Sequence, residues 1–269
     1  MHNYFFPESY FPPVSKDYGL RCGQGLQIAS KINCLFLGVV RDGQPDLSRN
    51  LVCLDHLRGF FNHSHCFIYE NDSKDSSKEI LDNYAKTRYN TVFSSEVKET
   101  RKLSDKSLER RINMAYVRNK YLEHAKKKYK TNKLDVIIVL DLDIKGGYSY
   151  TGLLNSLSYL TDKSCIGSNS IVYQDNIRLY YDTWAYLDSN KASEEDKNLM
   201  CFHRGEPLVE VDSCFGGLMI YPSSILKHDI KYEDWACDHV TLHKQLKHLG
   251  YNILLNPSQI VLYSDHYYV

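Results

Sequence analysis

The sequence has no long hydrophobic run. Its longest apolar stretches, around residues 35–40 and 136–140, are far shorter than the roughly 20 residues that a membrane-spanning helix needs. Residues 1–7 lack the basic region and the long apolar stretch of a signal peptide. The chain also has no excess charge, because 33 Lys and Arg balance 33 Asp and Glu. We therefore expect a cytoplasmic protein with no membrane span, and the charge gives no support to a nucleic-acid partner.

Paired cysteines are also lacking. None of the eight cysteines forms a C-x-x-C pair, so we expect reduced thiols rather than disulfides or a zinc site.

Tyrosine is frequent, at 22 residues; some are candidates to line a sugar site, and a general bias in composition is the alternative. No repeat or linker divides the chain. The sequence predicts an irregular N-terminal arm over residues 1–31 and one domain over residues 32–269.

Strands and helices are predicted to alternate through the first half of the chain. The predicted strands there cover residues 34–40, 66–70, 92–94 and 136–140, and the predicted helices cover residues 46–62, 76–87 and 105–129. This alternation predicts an α/β fold with a mainly parallel sheet flanked by helices. The second half is less regular, with predicted strands over residues 165–172, 180–186, 215–221, 253–256 and 260–263, a polar loop over residues 191–197 and a last helix over residues 235–249.

Two carboxylates directly follow the most hydrophobic predicted strand. Residues 136–140 are all aliphatic, and Asp141 and Asp143 come next. A buried parallel strand ends at the sheet edge where α/β folds bind ligands. Two neighbouring carboxylates repel each other unless a cation lies between them. We expect Asp143 to bind Mg²⁺ or Mn²⁺, and Asp141 to contact a ribose or reach the metal through water. In the alternative, Asp141 caps a turn and Asp143 is solvated.

Polar residues at other predicted strand ends lie on the same edge. Arg41 follows the first strand, and Asn71 and Asp72 follow the second. On the long predicted helix, Arg111 and Arg118 are seven residues apart and project in nearly the same direction. Arginine forks suit a diphosphate, so these residues are candidates to bind a donor nucleotide. A solvated helix face is the alternative for the arginines.

The second half contributes candidates to bind the acceptor, namely Asp212, Phe215, Gly216, Gly217 and Trp235. Asp212, Phe215, Gly216 and Gly217 combine glycines that allow close backbone approach with an aromatic face for a sugar ring; a β-bulge is the alternative. Trp235 and Asp238 stand at the start of the last predicted helix. Asp238 is a candidate general base toward an acceptor hydroxyl. Alternatively, the helix dipole alone accounts for the acidic residues there.

Together these residues resemble a GT-A fold glycosyltransferase. More narrowly, the chain resembles the capsule-associated α-1,3-mannosyltransferase-like family of fungi and its viral and bacterial relatives. The motifs that support this are residues 69–73 (YENDS), 118–119 (RN), 141–143 (DLD), 211–217 (VDSCFGG) and 237–239 (CDH). The resemblance implies a single GT-A (Rossmann-like) domain. It also implies a nucleotide-sugar donor (UDP- or GDP-hexose), a glycan or other hydroxyl acceptor, and Mn²⁺ or Mg²⁺ at the D-x-D motif.

The resemblance also implies roles for individual residues. A late histidine, here His266, completes the metal site with Asp143 and Asp141, and Arg118 neutralises the leaving diphosphate. If the reaction inverts the anomeric centre, Asp238 deprotonates the acceptor. If it retains that centre, Asp238 only positions the acceptor. The family has Glu where this chain has Asp238. Two other readings stay open at this point, a phosphatase with an aspartate nucleophile and a non-catalytic glycan-binding module.

Overall fold

The computed structural model describes residues 6–100, 104–129, 134–190 and 192–264. Within these ranges the α-helices are α1 (Tyr18–Ala29), α2 (Leu47–Arg58), α3 (Ser77–Thr87), α4 (Leu108–Lys128), α5 (Tyr150–Leu157), α6 (Glu194–Asn198) and α7 (Asp238–His248). The strands are β1 (Asn33–Val40), β2 (His63–Asn71), β3 (Thr91–Glu96), β4 (Val136–Asp141), β5 (Gly147–Tyr148), β6 (Ser164–Gln174), β7 (Ile177–Tyr180), β8 (Val209–Val211), β9 (Leu218–Pro222) and β10 (Asn252–Leu262).

All ten strands form one sheet. Eight of them lie in the order β3-β2-β1-β4-β9-β6-β10-β5, while β7 pairs with β6 and β8 pairs with β10. The strands β3, β2, β1 and β4 are mutually parallel, and β9 is antiparallel to β4 on one side and to β6 on the other. The predicted α/β fold with its parallel strands and flanking helices is confirmed. The carboxyl ends of β1, β2 and β4 meet at one sheet edge, as predicted.

Strand β4 lies in the middle of the sheet because it is apolar on both faces. Its first five residues are at most 2% exposed. Ile137 and Val139 pack into the core on the side of α4 and α7. Val136, Ile138 and Leu140 pack on the opposite side, with residues of α2, α3 and α5. The sheet is therefore covered on both faces, and β4 delivers Asp141 to the edge from a rigid position.

The expectation of an irregular segment is wrong for residues 18–29, which form helix α1. Its glycines argue against a helix by propensity, but one of them allows close packing on α5. A Cβ at Gly25 would lie 1.7 Å from the carbonyl oxygen of Leu154. The tertiary contact with α5 thus outweighs the weak local preference.

At the start of helix α4, the residues that the sequence predicts to face the core are exposed. The sequence predicts a core-facing stripe made of Leu108, Ile112, Ala115, Leu122 and Ala125, but Leu108 and Ile112 are 54% and 47% exposed. The later stripe residues Ala115, Leu122 and Ala125 are buried as predicted. In these first turns Arg110, Met114 and Val117 line an open cavity, whereas Leu108 and Ile112 do not line it and are exposed to solvent.

Three further predictions of the second half are corrected. The predicted strand over residues 180–186 ends at Tyr180 in β7, and its remainder is a loop. Helix α6 begins within the predicted polar loop over residues 191–197, and Ser193 and Asp196 start it with a capping box. The two predicted strands at 253–256 and 260–263 are one strand, β10, whose pairing with β6 is irregular between Asn256 and Ile260.

Two further expectations concern the cysteines and membrane-spanning helices. The eight cysteines all lie within the described residues and form no disulfide there. Among the helices of the described ranges, none combines the length and the apolar character that crossing a bilayer requires.

Candidate active site

A cavity of about 510 Å³ opens at the carboxyl ends of β1, β2 and β4. One side is formed by the ends of β1 and β2 and by Thr100, and the other by residues 181–185, Phe215 and residues 237–239. Asp141 and Asp143 lie at the end of β4, which the sheet order places between the two sides. Residues from the first half of α4 also line the cavity. The predicted residues that the structure brings together here are Arg41, Asn71, Arg118, Asp141, Asp143, Phe215 and Asp238.

Asp141 is held from several directions at the end of β4. Its N–H donates to the carbonyl of Gly217 at 3.0 Å, and its Oδ2 accepts from the Tyr263 hydroxyl at 3.2 Å. Its carbonyl accepts from the Tyr148 hydroxyl. Burial raises the pKa of Asp141 to about 7; Arg118 lowers it, and the nearby Asp143 raises it further. Burial and the nearby Asp143 thus both disfavour the charged form of Asp141.

Arg118 forms ion pairs with two carboxylates in the wall of the cavity, those of Asp141 and Asp238. It is 4% exposed, and its Nε is paired with Oδ2 of Asp238 while one terminal nitrogen lies 3.4 Å from Oδ1 of Asp141. Burial lowers the pKa of Arg118, but the negative charge of Asp238 outweighs this. With smaller contributions from Tyr121 and Asp141, it raises the pKa of Arg118 well above its usual value. The ring of Phe215 lies 5.0 Å from the guanidinium. Arg118 therefore couples the end of β4 to the start of α7.

At the β1 and β2 side, Arg41 and Asn71 line the cavity, whereas Asp72 supports a loop behind them. The Asp72 carboxylate accepts from the N–H groups of Lys98, Glu99 and Thr100 at 2.7 to 3.2 Å. Burial raises its pKa, but these bonds and that from the Thr100 hydroxyl hold the pKa of Asp72 well below its usual range. Arg41 donates to the Thr100 hydroxyl at 2.9 Å. Asp72 thus positions the loop that contacts Arg41.

Five other predicted residues lie outside the cavity lining. Asp212 is exposed and pairs with Lys247. Trp235 is 48% exposed, and its carbonyl accepts from Arg111 at 2.8 Å. Gly216 and Gly217 have positive φ angles of 66° and 86° and form the turn into β9. A Cβ at Gly216 would lie 2.3 Å from the Ser168 carbonyl oxygen. The two glycines are therefore needed for the backbone turn that follows Phe215.

Sequence reasoning missed several residues of the cavity. Tyr181, Asp182 and Trp184 follow β7, in a segment predicted as a strand. Arg110 lines the cavity, although a solvated face is the simpler interpretation from sequence. One signal was available, because Arg110, Met114, Val117 and Arg118 are spaced i, i+4, i+7, i+8 and share one face of α4. His239 also lines the cavity, beside the predicted Asp238.

The residues present fit a divalent cation. Asp141 and Asp143 offer the oxygen ligands that Mg²⁺ and Mn²⁺ accept, and a cation between these two carboxylates would offset their repulsion. Across the described part of the chain, no group of three or more His, Cys, Asp and Glu side chains is arranged to hold a metal ion. His266, the third predicted ligand, lies outside the described residues.

Solved structures with the same fold include two glycosyltransferases. GalNAc-T7, in a crystal structure with UDP, GalNAc and Mn²⁺, aligns with 86% of this chain and 44% of that chain, at 16% identity and a TM-score of 0.54. The mannosyltransferase PcManGT from Pyrobaculum calidifontis, in complex with GDP-Man and Mn²⁺, aligns with 91% of this chain and 63% of that chain, at 11% identity and a TM-score of 0.54. The chain therefore has the fold of GT-A glycosyltransferases, and it spans less than two thirds of each of these proteins.

The family follows from sequence. Residues 45–246 match the family described as Cryptococcal mannosyltransferase 1. Because the match covers well over half of the chain, the protein belongs to this glycosyltransferase family, and the resemblance drawn from the motifs is confirmed. A search of curated protein sequences finds no match.

Proposed function

We propose that the protein transfers a hexosyl group from a nucleotide-sugar donor, UDP- or GDP-hexose, to a hydroxyl of a glycan or similar acceptor. The observation that supports this most strongly is the Asp141 and Asp143 pair at the end of β4, inside a cavity large enough for a nucleotide sugar. The family and the donors bound by GalNAc-T7 and PcManGT agree with it.

The donor nucleotide is assigned to the side of β1 and β2. Asn71 and Arg41 line this side, and Arg41 is fixed by its bonds to Thr100, so less side-chain entropy is lost on binding a phosphate or ribose. Asp72 contributes indirectly, because it holds the loop of residues 98–100. Arg111 and Trp235 contact each other outside the cavity and have no direct role in this scheme.

The leaving diphosphate is assigned to the end of β4. Asp143, Asp141 and His266 would hold Mn²⁺ or Mg²⁺, which when bound supplies neutralisation of the growing negative charge. Arg118 keeps Asp141 in place and adds positive charge to the cavity wall. Since Arg118 also pairs with Asp238, the Asp238 carboxylate is fixed in orientation. We assign Asp238 the role of accepting a hydrogen bond from the reacting acceptor hydroxyl.

The test combines binding and turnover. Thermal unfolding of the protein is followed with UDP- and GDP-sugars in the presence and absence of Mn²⁺, since a ligand that binds the folded state raises its stability. Nucleotide release from the same donors measures turnover. Hydrolysis of phosphate esters without any nucleotide-sugar turnover would overturn the proposal in favour of a phosphatase. Donor binding that never leads to turnover would favour a non-catalytic module.

Asp143→Asn is the variant that tests the metal assignment. We expect it to lose the Mn²⁺-dependent rise in melting temperature and roughly 100-fold or more of kcat/KM, because a neutral amide no longer holds the cation that offsets the diphosphate charge. Asp162→Asn is the matched control, since Asp162 is exposed and does not line the cavity. Equal metal-dependent stabilisation and turnover in both variants would contradict the assignment.

A further inference from the structure

The loop after β7 brings aromatic side chains to the cavity side opposite Arg41 and Asn71. Tyr181 is 48% exposed and stacks on Tyr263 with a centroid distance of 3.8 Å. Trp184 is partly buried and lies 5.0 Å from the guanidinium of Arg110. Both line the cavity. Aromatic rings that are fixed by such contacts and still open to a cavity suit the flat face of a sugar ring.

Two polar groups lie on the same side. The Asp182 carboxylate accepts from the N–H of Gly216 at 2.9 Å and from that of Ala185 at 3.4 Å, which fixes its orientation. His239 is 2% exposed and stacks on Phe215 at 3.8 Å, yet neither ring nitrogen has a hydrogen-bond partner among the described residues. Its Nε2 lies 3.7 Å from the Asp238 carboxylate. An unpartnered buried imidazole in a cavity wall indicates a missing ligand group.

We infer that the loop of residues 181–184, together with His239, forms the acceptor subsite and that its ligand is a neutral hexose. Tyr181 and Trp184 contact the sugar ring, while Asp182 and His239 bond its hydroxyls. This inference rests on the proposed function and adds residues that the sequence did not suggest. A hydroxyl-rich ring satisfies all four side chains at once. A lipid tail would remove water from the Asp182 carboxylate and leave the imidazole without a hydrogen-bond partner, at a cost in affinity.

The charges around this subsite favour a neutral ligand over an anionic one. Asp182 and Asp238 face it, with Asp141 and Asp143 at the adjoining end of β4. Of the nearby cations, Arg118 is already paired with Asp141 and Asp238, and Arg110 lies over Trp184. An anionic sugar would therefore meet four carboxylates, which outnumber the lining cations Arg110 and Lys106, and this excess of negative charge disfavours binding.

The binding test uses the fact that the chain has two tryptophans. In a Trp235→Phe background, Trp184 is the remaining indole and reports on the subsite by fluorescence. The protein is titrated, with UDP or GDP and Mn²⁺ present, with methyl hexopyranosides of glucose, mannose and galactose and with the corresponding methyl uronides. We expect the best neutral hexoside to bind at least roughly fivefold more tightly than its uronide. Equal or tighter binding of the uronides, or no response to any neutral hexoside, would overturn the inference.

The kinetic test separates an acceptor sugar from the sugar of the donor. Asp182→Asn keeps an oxygen that can accept from Gly216, so the fold is expected to be preserved. We expect the acceptor KM to rise about tenfold, because a charge-assisted hydrogen bond is lost, while donor hydrolysis without acceptor keeps its KM. A rise in donor KM with unchanged acceptor KM would assign the loop to the donor sugar and overturn the inference. Absence of any nucleotide-sugar turnover would instead refute the proposed function itself.

Discussion

Arg118 is the residue on which the charge balance of the cavity depends. It is buried between Asp238 and Asp141. Arg118→Met would leave the buried Asp238 carboxylate without its cation and would remove the charge that lowers the pKa of Asp141, so we expect the free energy of unfolding to fall by about 3–5 kcal/mol. Lys120→Met on the same helix is the control. Its pair with Glu96 is at the surface, and its loss is expected to cost less than about 1 kcal/mol. Urea denaturation at pH 7 measures both.

A double variant tests whether the pairing itself matters. Arg118→Met combined with Asp238→Asn removes the carboxylate that has lost its cation, so part of the lost stability should return. If the double variant is no more stable than Arg118→Met alone, the ion pair is not the source of the effect.

Sequence patterns predicted the residues of this site where strand geometry determines their position. Asp141, Asp143, Arg41 and Asn71 were placed together because the ends of parallel strands meet at one edge. Asp182 was not found, because its orientation comes from a loop and from the distant N–H of Gly216. No local pattern encodes such a contact.

At the scale of elements, the packing of α1 on α5 depends on one glycine of three in the helix. A Cβ at Gly25 would meet the Leu154 backbone, whereas a Cβ at Gly23 would meet nothing within 4 Å. We expect Gly25→Ala to lower the free energy of unfolding by about 1–3 kcal/mol, because the helices must separate. Gly23→Ala should instead raise it by about 0.4–1 kcal/mol through better helix propensity. Denaturant titration measures both variants, which carry the same substitution in the same helix. A change of the free energy of unfolding in the same direction in both would contradict this account.

The same element shows why the start of the chain could not be predicted. Glycine-rich residues 18–29 have little intrinsic helix preference, and their stability as a helix comes from burial against α5. In contrast, β4 was predicted within one residue of its end, since five consecutive aliphatic residues identify a strand buried on both faces. An element such as β4, whose local sequence already favours its structure, can thus be predicted. An element such as α1, which is stable only through its tertiary contacts, cannot.

For the whole molecule, buried imidazoles make stability depend on pH. His243 is 0% exposed and lies between the Ser213 hydroxyl and the Tyr221 hydroxyl, each 2.8 Å from a ring nitrogen. Burial lowers the pKa of His243 to about 3. The neighbouring His239, whose ring centroid is 5.9 Å away, also has a lowered pKa, from burial and from Arg118. Both side chains are therefore expected to be neutral in the folded protein at neutral pH.

The sign of the pH dependence follows from the two states of His243. Between its usual pKa near 6.5 and its folded pKa of about 3, the unfolded chain binds a proton that the folded chain does not. The free energy of unfolding should therefore fall as pH falls through this window, by up to about 1.4 kcal/mol per pH unit for this group. His243→Gln should flatten the slope measured by urea denaturation between pH 6 and pH 4, whatever its effect on absolute stability. His248→Gln, at an exposed position of the same helix, should leave the slope unchanged. Parallel slopes for wild type and His243→Gln would mean that other groups, such as the hydrogen-bonded carboxylate of Asp72, control acid unfolding.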